Sequence, residues 1–367
     1  MKTVYIAKAK IPSTSANSVH VMKISEAFAK LCEDFELIVP EWPGEKSIDE
    51  DGFAYYGVEP FKMQKVNVPQ TGIMNRYGFP IKSIWRARKA RRVITRDPIV
   101  AFLAVVCGKQ AVLDLHGDLK HLCGRAYRII KWKWFVNSKR LHLVMISAGL
   151  QRYYRRQYNL PEEQSRILAD GYTADDFARI QQTEILQGNP LNIGYCGSFL
   201  KGKGLGIICR LAQMDNENRY HLFGGTKEAA ERELGEKIPD NICCHGYISH
   251  AQIAEKLNEQ DILLLPNQME LICKGENIGE VTSPLKMFEY MASGRVIIAS
   301  DLQVLREILN ETNCYFANPD DADSWRKVME YIAANREEAV SKAQKAKQDV
   351  RQYTWKIRAE KMLELTQ

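Results

Sequence analysis

The sequence predicts an α/β fold built from two Rossmann-like halves. Three observations carry this. Short β-branched runs alternate with helical patterns along the chain, as parallel sheets with crossover helices require. The alternation occurs twice, on either side of the polar stretch QQTEILQGNPLN (181–192), which contains Gly-Asn-Pro. The 367 residues, 45% hydrophobic and 26% charged, suffice for two sizeable cores.

In the first half, TVYIA (3–7), FELIVP (35–40), AVLDLH (111–116) and LHLVMIS (141–147) read as strands, and Val19 to Leu31 reads as a helix. The second series is NIGYCGS (192–198), RYHLFGG (219–225), NICCHGY (241–247), DILLLPN (261–267), RVIIASD (295–301) and CYFANP (314–319), with helical patterns between them. Asp321-Ala-Asp323 follows Asn318-Pro319 and reads as a helix start. From Asp323 to the end the chain reads as helices in series, the last around Trp355. The expected domains are 1–185, 186–345 and a terminal helix, 346–367. Ligands of doubly wound sheets sit outside the carboxyl ends of the strands, so two facing halves predict an interdomain cleft.

No run of about 18 apolar residues occurs, so no membrane-spanning helix is expected. The apolar run at the start is too short for a signal peptide. Nine cysteines lie scattered without a C-x-x-C pair and read as reduced thiols in a cytoplasm. Cys243-Cys244 reads as a strand pair facing opposite sides. The net charge is +6, but it is unevenly spread. Leu119 to Pro161 holds no acid and many Lys and Arg residues, and KSIWRARKARRVITR (82–96) is a second basic run. Such a face attracts phosphates, whether of lipid headgroups, nucleic acid or an anionic acceptor. Tyr127, Trp132, Trp134 and Phe135 interleave with Arg125, Arg128, Lys131 and Lys133, the chemistry of an interfacial surface, or of a solvated basic helix.

Chemistry-bearing residues cluster at the strand ends of the second half. GSFLKGKGLG (197–206) places Gly197, Ser198, Lys201 and Lys203 before a helix, where N–H groups and ammonium charges suit a phosphate; the plain alternative is a tight turn. It is not a Walker A loop. HGYISH (245–250) offers Tyr247 and Ile248 as backbone and a face for a nucleobase, or simply a strand-to-helix turn. In TSPLKMFEYMASG (282–294), Ser283 is placed as N-cap and Pro284 as the first helical residue. Glu289 lies six residues past Ser283, about 9 Å along the axis, at the edge of the apolar arc. Phosphate at the helix start and a diol about a turn later is the layout of a nucleoside diphosphate. Otherwise Glu289 is a border residue paired with Lys286 or solvent. In the first half Asp114, His116 and Asp118 share one side at strand spacing. A metal is set aside there, because no further ligand cluster converges in sequence.

The order of these pieces resembles the family 4 glycosyltransferases, retaining enzymes of the GT-B fold, over nearly the whole chain. SPLKMFEYMASGRVIIASDLQVLREIL (283–309) carries the resemblance most strongly. SANSVHVMKISEAFAKL (15–31), MISAGLQRYY (145–154), ILADGYTADDF (167–177) and GYISHAQIAEKLNEQDILLLPN (246–267) support it. The resemblance implies a deep interdomain cleft and a terminal helix returning to the N-terminal domain. It implies that Glu289 binds the donor ribose and that Lys203 meets the diphosphate. Thr282, Ser283 and Leu285 fall in the loop that meets the distal phosphate and sugar, His116 falls near the donor sugar, and Ser18 faces acceptor and phosphates. Two positions depart from the pattern. Val281 stands where the first Glu of E-x7-E is expected, with Glu280 as first substitute and Glu276 as second. Ser198 stands where an Arg is expected, with Lys201 as the replacement charge.

The implied activity is transfer of a sugar from a UDP- or GDP-sugar to a hydroxyl of a lipid-linked or saccharide acceptor. It needs no metal or other cofactor and belongs to bacterial surface polysaccharide synthesis at the inner face of the plasma membrane. The alternatives are another GT-B enzyme, such as a nucleotide-sugar epimerase or a phosphorylase, and a nucleic-acid-binding protein using the basic face. No nucleic-acid motif is present, so no nucleic-acid partner is expected. A nicotinamide dehydrogenase lacks its G-x-G-x-x-G after the first strand.

Overall fold

The structure, a computed structural model, describes residues 1–41, 52–68, 77–124, 130, 132–270, 272–273, 276–277, 279, 281 and 283–366. The chain forms two compact units, Met1–Ala169 with Trp355–Gln367, and Asp170–Thr354.

The first unit holds a seven-stranded parallel sheet. Its strands are β1 (Thr3–Ile6), β2 (Phe35–Glu41), β3 (Met63–Asn67), β4 (Arg92–Thr95), β5 (Gln110–Leu115), β6 (Leu141–Met145) and β7 (Ser165–Ile167), in the spatial order β3-β2-β1-β4-β5-β6-β7. The reversal of direction at β1 is the doubly wound arrangement. Tyr5 lies in register with Leu37 on one side and Ile94 on the other. Val4, Ile6, Val93, Val112 and Leu113 are fully buried, as strands covered on both faces require. The helix Ala16–Leu31 starts three residues before the expected Val19, because the Ser15 hydroxyl accepts from the Ser18 N–H and fixes its first turn. The terminal helix Trp355–Glu364 packs against it, with the Trp355 ring edge-on to His20 at 5.1 Å.

The second unit holds a six-stranded parallel sheet. Its strands are β8 (Asn192–Cys196), β9 (Arg219–Phe223), β10 (Ile242–Cys244), β11 (Ile262–Leu265), β14 (Val296–Ser300) and β15 (Tyr315–Ala317), in the order β10-β9-β8-β11-β14-β15. Between β11 and β14 lies an antiparallel pair, β12 (Ile272–Cys273) and β13 (Glu276–Asn277). Every strand expected in this half is present. Ile193, Leu222, Leu264 and Ile298 fill the core together with Trp325 and Ile332 of the helix Ala322–Ala334. The Asp321 carboxylate caps that helix by accepting from the Asp323 N–H.

The crossings between units fall at Ala169 and Thr354, where the sequence placed boundaries at 185 and 345. The polar stretch read as a break is anchored in the second unit. The buried Arg295 donates to the Thr183 carbonyl at 3.0 Å and to Asn258 Oδ1 at 2.8 Å, and Asp261 accepts from the Leu186 N–H at 2.7 Å. At the other end, the helix Arg336–Asp349 packs against β14 and the helix Leu285–Ser293.

Candidate active site

In the second unit the ends of β8, β9 and β10 are laced together by their backbones. The Gly197 N–H donates to the Phe223 carbonyl at 2.8 Å, and the Gly224 N–H donates to the Gly246 carbonyl at 2.7 Å. A side chain at Gly224, which sits at φ 129°, would collide with the Gly197 carbonyl. At Gly204, with φ 85°, one would collide with the Pro266 carbonyl oxygen. Both positions therefore require glycine. The loop from Gly197 to Gly204 leads into the helix Leu205–Met214 and carries Ser198, exposed Lys201 and half-buried Lys203. The Ser198 carbonyl accepts from the Tyr195 hydroxyl at 2.9 Å.

The helix at the centre of the sequence argument runs Leu285–Ser293. Pro284, not Ser283, is its N-cap, and among the described residues no side chain caps the first turn. Proline has no side-chain oxygen to accept a hydrogen bond there, so the N–H groups of Leu285 and Lys286 receive no cap from it and are placed for an anion. Tyr290 fastens the helix to the end of β8, its hydroxyl accepting from the Cys196 N–H at 2.7 Å.

Glu289 does not pair with Lys286. Its carboxylate lies 2.8 Å from His250 Nε2. Lys286 turns instead toward the glycine loop. Its Nζ is buried without a hydrogen-bond partner among the described residues, 4.1 Å from the centre of the Tyr195 ring. A Cβ placed on Gly197 would lie 3.4 Å from that nitrogen. Burial, then the Lys203 charge, holds the Lys286 ammonium well below the usual lysine range. Burial and the Glu289 charge together push the adjacent Cys196 thiol up to about 12. A buried cation beside a glycine loop, a second lysine felt through space and an uncapped helix start form an anion-binding constellation.

Tyr247 stands exposed and Ile248 half-buried after β10. Ser283 and Leu285 are half-buried at the helix start. Glu280 and Thr282 lie outside the described residues, Val281 is half-buried, and Glu276 sits in β13.

The first unit carries a separate charged cluster. Asp114, next to last in β5 and wholly buried, accepts from Arg358 Nη2 at 2.7 Å. Its second oxygen lies 3.0 Å from His116 Nε2 and 3.5 Å from His20 Nε2. The two imidazoles meet edge-to-face at 4.7 Å. Burial pushes the Asp114 carboxyl up, but Arg358 and the imidazoles outweigh it and hold the group well below the usual carboxylate range. His116 is thus oriented from behind by a carboxylate. Asp118 does not join Asp114 and His116. It caps the helix Leu119–Cys123 and accepts from the Tyr153 and Tyr158 hydroxyls. The Ser18 hydroxyl donates to the Lys10 carbonyl at 2.6 Å at the start of the helix Ala16–Leu31.

Two parallel-sheet Rossmann-like units define the fold class as GT-B. Residues 190–335 match the family described as Glycosyl transferases group 1, so the second unit carries that family's sequence pattern. Solved structures share the fold over nearly the whole chain. Sucrose-phosphate synthase from Thermosynechococcus elongatus is 14% identical, with a TM-score of 0.72, over 100% of this chain and 98% of that one. Anabaena Alr3699/HepE, solved with UDP and glucose, is 13% identical, with a TM-score of 0.73, over 99% and 98%. WaaG, a glycosyltransferase involved in lipopolysaccharide biosynthesis, is 14% identical, with a TM-score of 0.66, over 99% of both chains. No curated protein matches the chain in sequence.

Proposed function

We propose that this protein is a retaining, metal-independent glycosyltransferase that moves a sugar from a nucleoside diphosphate-sugar to a hydroxyl of a lipid-linked or saccharide acceptor. The observation that carries the reading is Lys286: a buried side-chain amine with no hydrogen-bond partner among the described residues, beside Gly197 and near Lys203, at the start of the helix that presents Glu289. In this reading the diphosphate rests on the Leu285 and Lys286 N–H groups and on the Lys203 and Lys286 ammonium groups. Glu289, steadied by His250, accepts from the ribose hydroxyls, and Tyr247 and Ile248 flank the base. Lys286 then supplies the charge that Ser198 cannot.

The bond from the anomeric carbon to the diphosphate oxygen breaks as the bond to the acceptor oxygen forms on the same face. The acceptor proton passes to the departing phosphate oxygen. No protein nucleophile is assigned. Fixed positive charge aimed at the developing diphosphate stabilises the transition state. His116, oriented by Asp114, serves the donor sugar. The group 1 family match and the structures of HepE with UDP and glucose and with UDP-glucose support a nucleotide-sugar donor.

The setting proposed is surface polysaccharide synthesis on the inner face of a bacterial plasma membrane. No helix among the described residues is long and apolar enough to cross a membrane. The first unit offers an interfacial surface instead. The helix Phe79–Arg86 exposes Ile81 and Trp85, and the Arg86 and Arg88 guanidiniums lie 5.8 and 4.8 Å from the Trp85 ring. It packs on the helix Pro98–Val106, whose Phe102 meets exposed Trp134. Apolar rings amid cations fit an anionic bilayer surface. The basic residues at 125–129 and 131 lie outside the described residues.

A thermal-shift screen of UDP-, GDP- and ADP-sugars, followed by product analysis on the best binder, tests the donor. Sedimentation with anionic liposomes tests the surface: binding should be reversed by salt and weakened in Trp85→Ala, and no sedimentation at low salt would refute it.

A further inference from the structure

We propose that the edge of the second sheet is a binding site for a divalent transition-metal ion of zinc type, held by His221, Cys243 and His245. The proposal does not depend on the nucleotide reading.

The site follows from register. His221 and Cys243 are direct partners in the parallel pairing of β9 with edge strand β10. Their neighbours Tyr220, Leu222 and Ile242 turn into the core, so His221 and Cys243 share the outer face. His245, two residues past Cys243, returns to that face. The ligating atoms of all three lie within 4.8 Å of one another. His221 Nδ1 and His245 Nε2 are 3.0 Å apart. Two imidazole nitrogens on one tetrahedral zinc ion, each about 2.0 Å from it, would be about 3.3 Å apart. A movement of a few tenths of an ångström, about 0.3 Å, makes room for the ion.

The surroundings prepare the ligands. His221 Nε2 lies 3.2 Å from Asn192 Oδ1, and an Nε2–H donating there leaves the Nδ1 lone pair on the side of His245 Nε2. That is how an outer partner selects a metal-binding tautomer. The His245 ring is stacked on Phe223 at 4.6 Å, which fixes its plane. Cys243 is an exposed free thiol on an edge strand, open to an entering ion. Arg219 and Lys256 bring positive charge near, and Glu259, held by Lys256 at 2.7 Å, brings the nearby carboxylate. Two imidazoles and a thiolate select zinc-type ions over Mg2+ or Ca2+, with water in the fourth position. The ion would clamp the ends of β9 and β10 just before the turn that carries Tyr247. It has no part in the sugar-transfer step.

The test is calorimetric titration of chelator-stripped full-length protein with Zn2+, and an absorption titration with Co2+. The expected result is one saturable ion per chain, binding at least tenfold weaker in Cys243→Ser and in His245→Ala. A thiolate-to-cobalt charge-transfer band should form in the wild type and vanish in Cys243→Ser. No saturable binding, or unchanged affinity in both variants, overturns the site. Should a variant lose its native circular dichroism, the cobalt band of the wild type decides alone, and its absence refutes the proposal.

Discussion

Replacing Lys286 with Met should weaken nucleotide binding and at the same time stabilise the free protein. The Lys286 Nζ is buried with no hydrogen-bond partner among the described residues. A phosphate oxygen reaching it gains a charge-assisted hydrogen bond worth about 1.5–3 kcal/mol. Its loss should raise the Kd for UDP, or for GDP if that binds better, by roughly tenfold to a hundredfold. Methionine fills nearly the same volume without burying an amine, so the free variant should gain on the order of 1 kcal/mol and melt higher. Proton linkage supplies a second readout. The folded value of Lys286 is depressed below the ordinary 10.5, chiefly by burial. Between the two values the unfolded chain binds more protons, so the stability of the free protein rises with pH across that window. A bound diphosphate reverses the depression, and binding should take up protons. Titration calorimetry at a series of pH values below 10.5, in buffers of different ionisation enthalpy, should show this uptake in the wild type and lose it in Lys286→Met. An unchanged Kd together with identical proton uptake in the two proteins would refute the reasoning.

The remaining predictions concern the neighbouring groups and the first unit. Lys203→Ala should lower kcat by about 100-fold or more, the usual loss when one transition-state charge partner is removed, as read by steady-state release of the nucleoside diphosphate; near-normal turnover would dismiss its role. Glu289→Gln should weaken nucleotide binding about tenfold in calorimetry, and His250→Ala should weaken it less but in the same direction. Arg358→Met strands the buried Asp114 carboxylate and should cost about 3–5 kcal/mol in urea unfolding. Asp114 has a depressed folded value, so its contribution to stability is present above the ordinary carboxyl value of 3.8 and fades as pH falls toward the depressed one. Asp114→Asn should therefore be less stable at pH 7 but lose less on acidification below that value.

Much of the fold was legible because buried parallel strands are short continuous apolar runs, as ILLL and VIIAS are. The three strands of the first unit that escaped the sequence have local reasons. MQKVN is a polar edge strand with one buried residue, and the three-residue β7 is the opposite edge. RVIT is central, yet its four residues lie inside a basic run, and buried Arg92 reads as a surface charge until its donation to the Leu363 carbonyl is seen. At the candidate site, the glycine loop and Glu289 were legible from spacing. Lys286 was not, because a lysine in the first turn of a helix reads as solvated, and only packing against Tyr195 reveals its burial. Arg358 could not be found from spacing either, since it reaches Asp114 across 244 positions of sequence. His221, Cys243 and His245 were passed over because parallel register, not sequence distance, brings them together.

The most direct measurement is calorimetric titration of the full chain with UDP and with GDP. The nucleotide reading predicts saturable one-to-one binding of at least one of them, and its loss in the double variant Lys286→Met, Glu289→Gln. Absence of binding by both nucleotides at millimolar concentration, or wild-type affinity in the double variant, would contradict it.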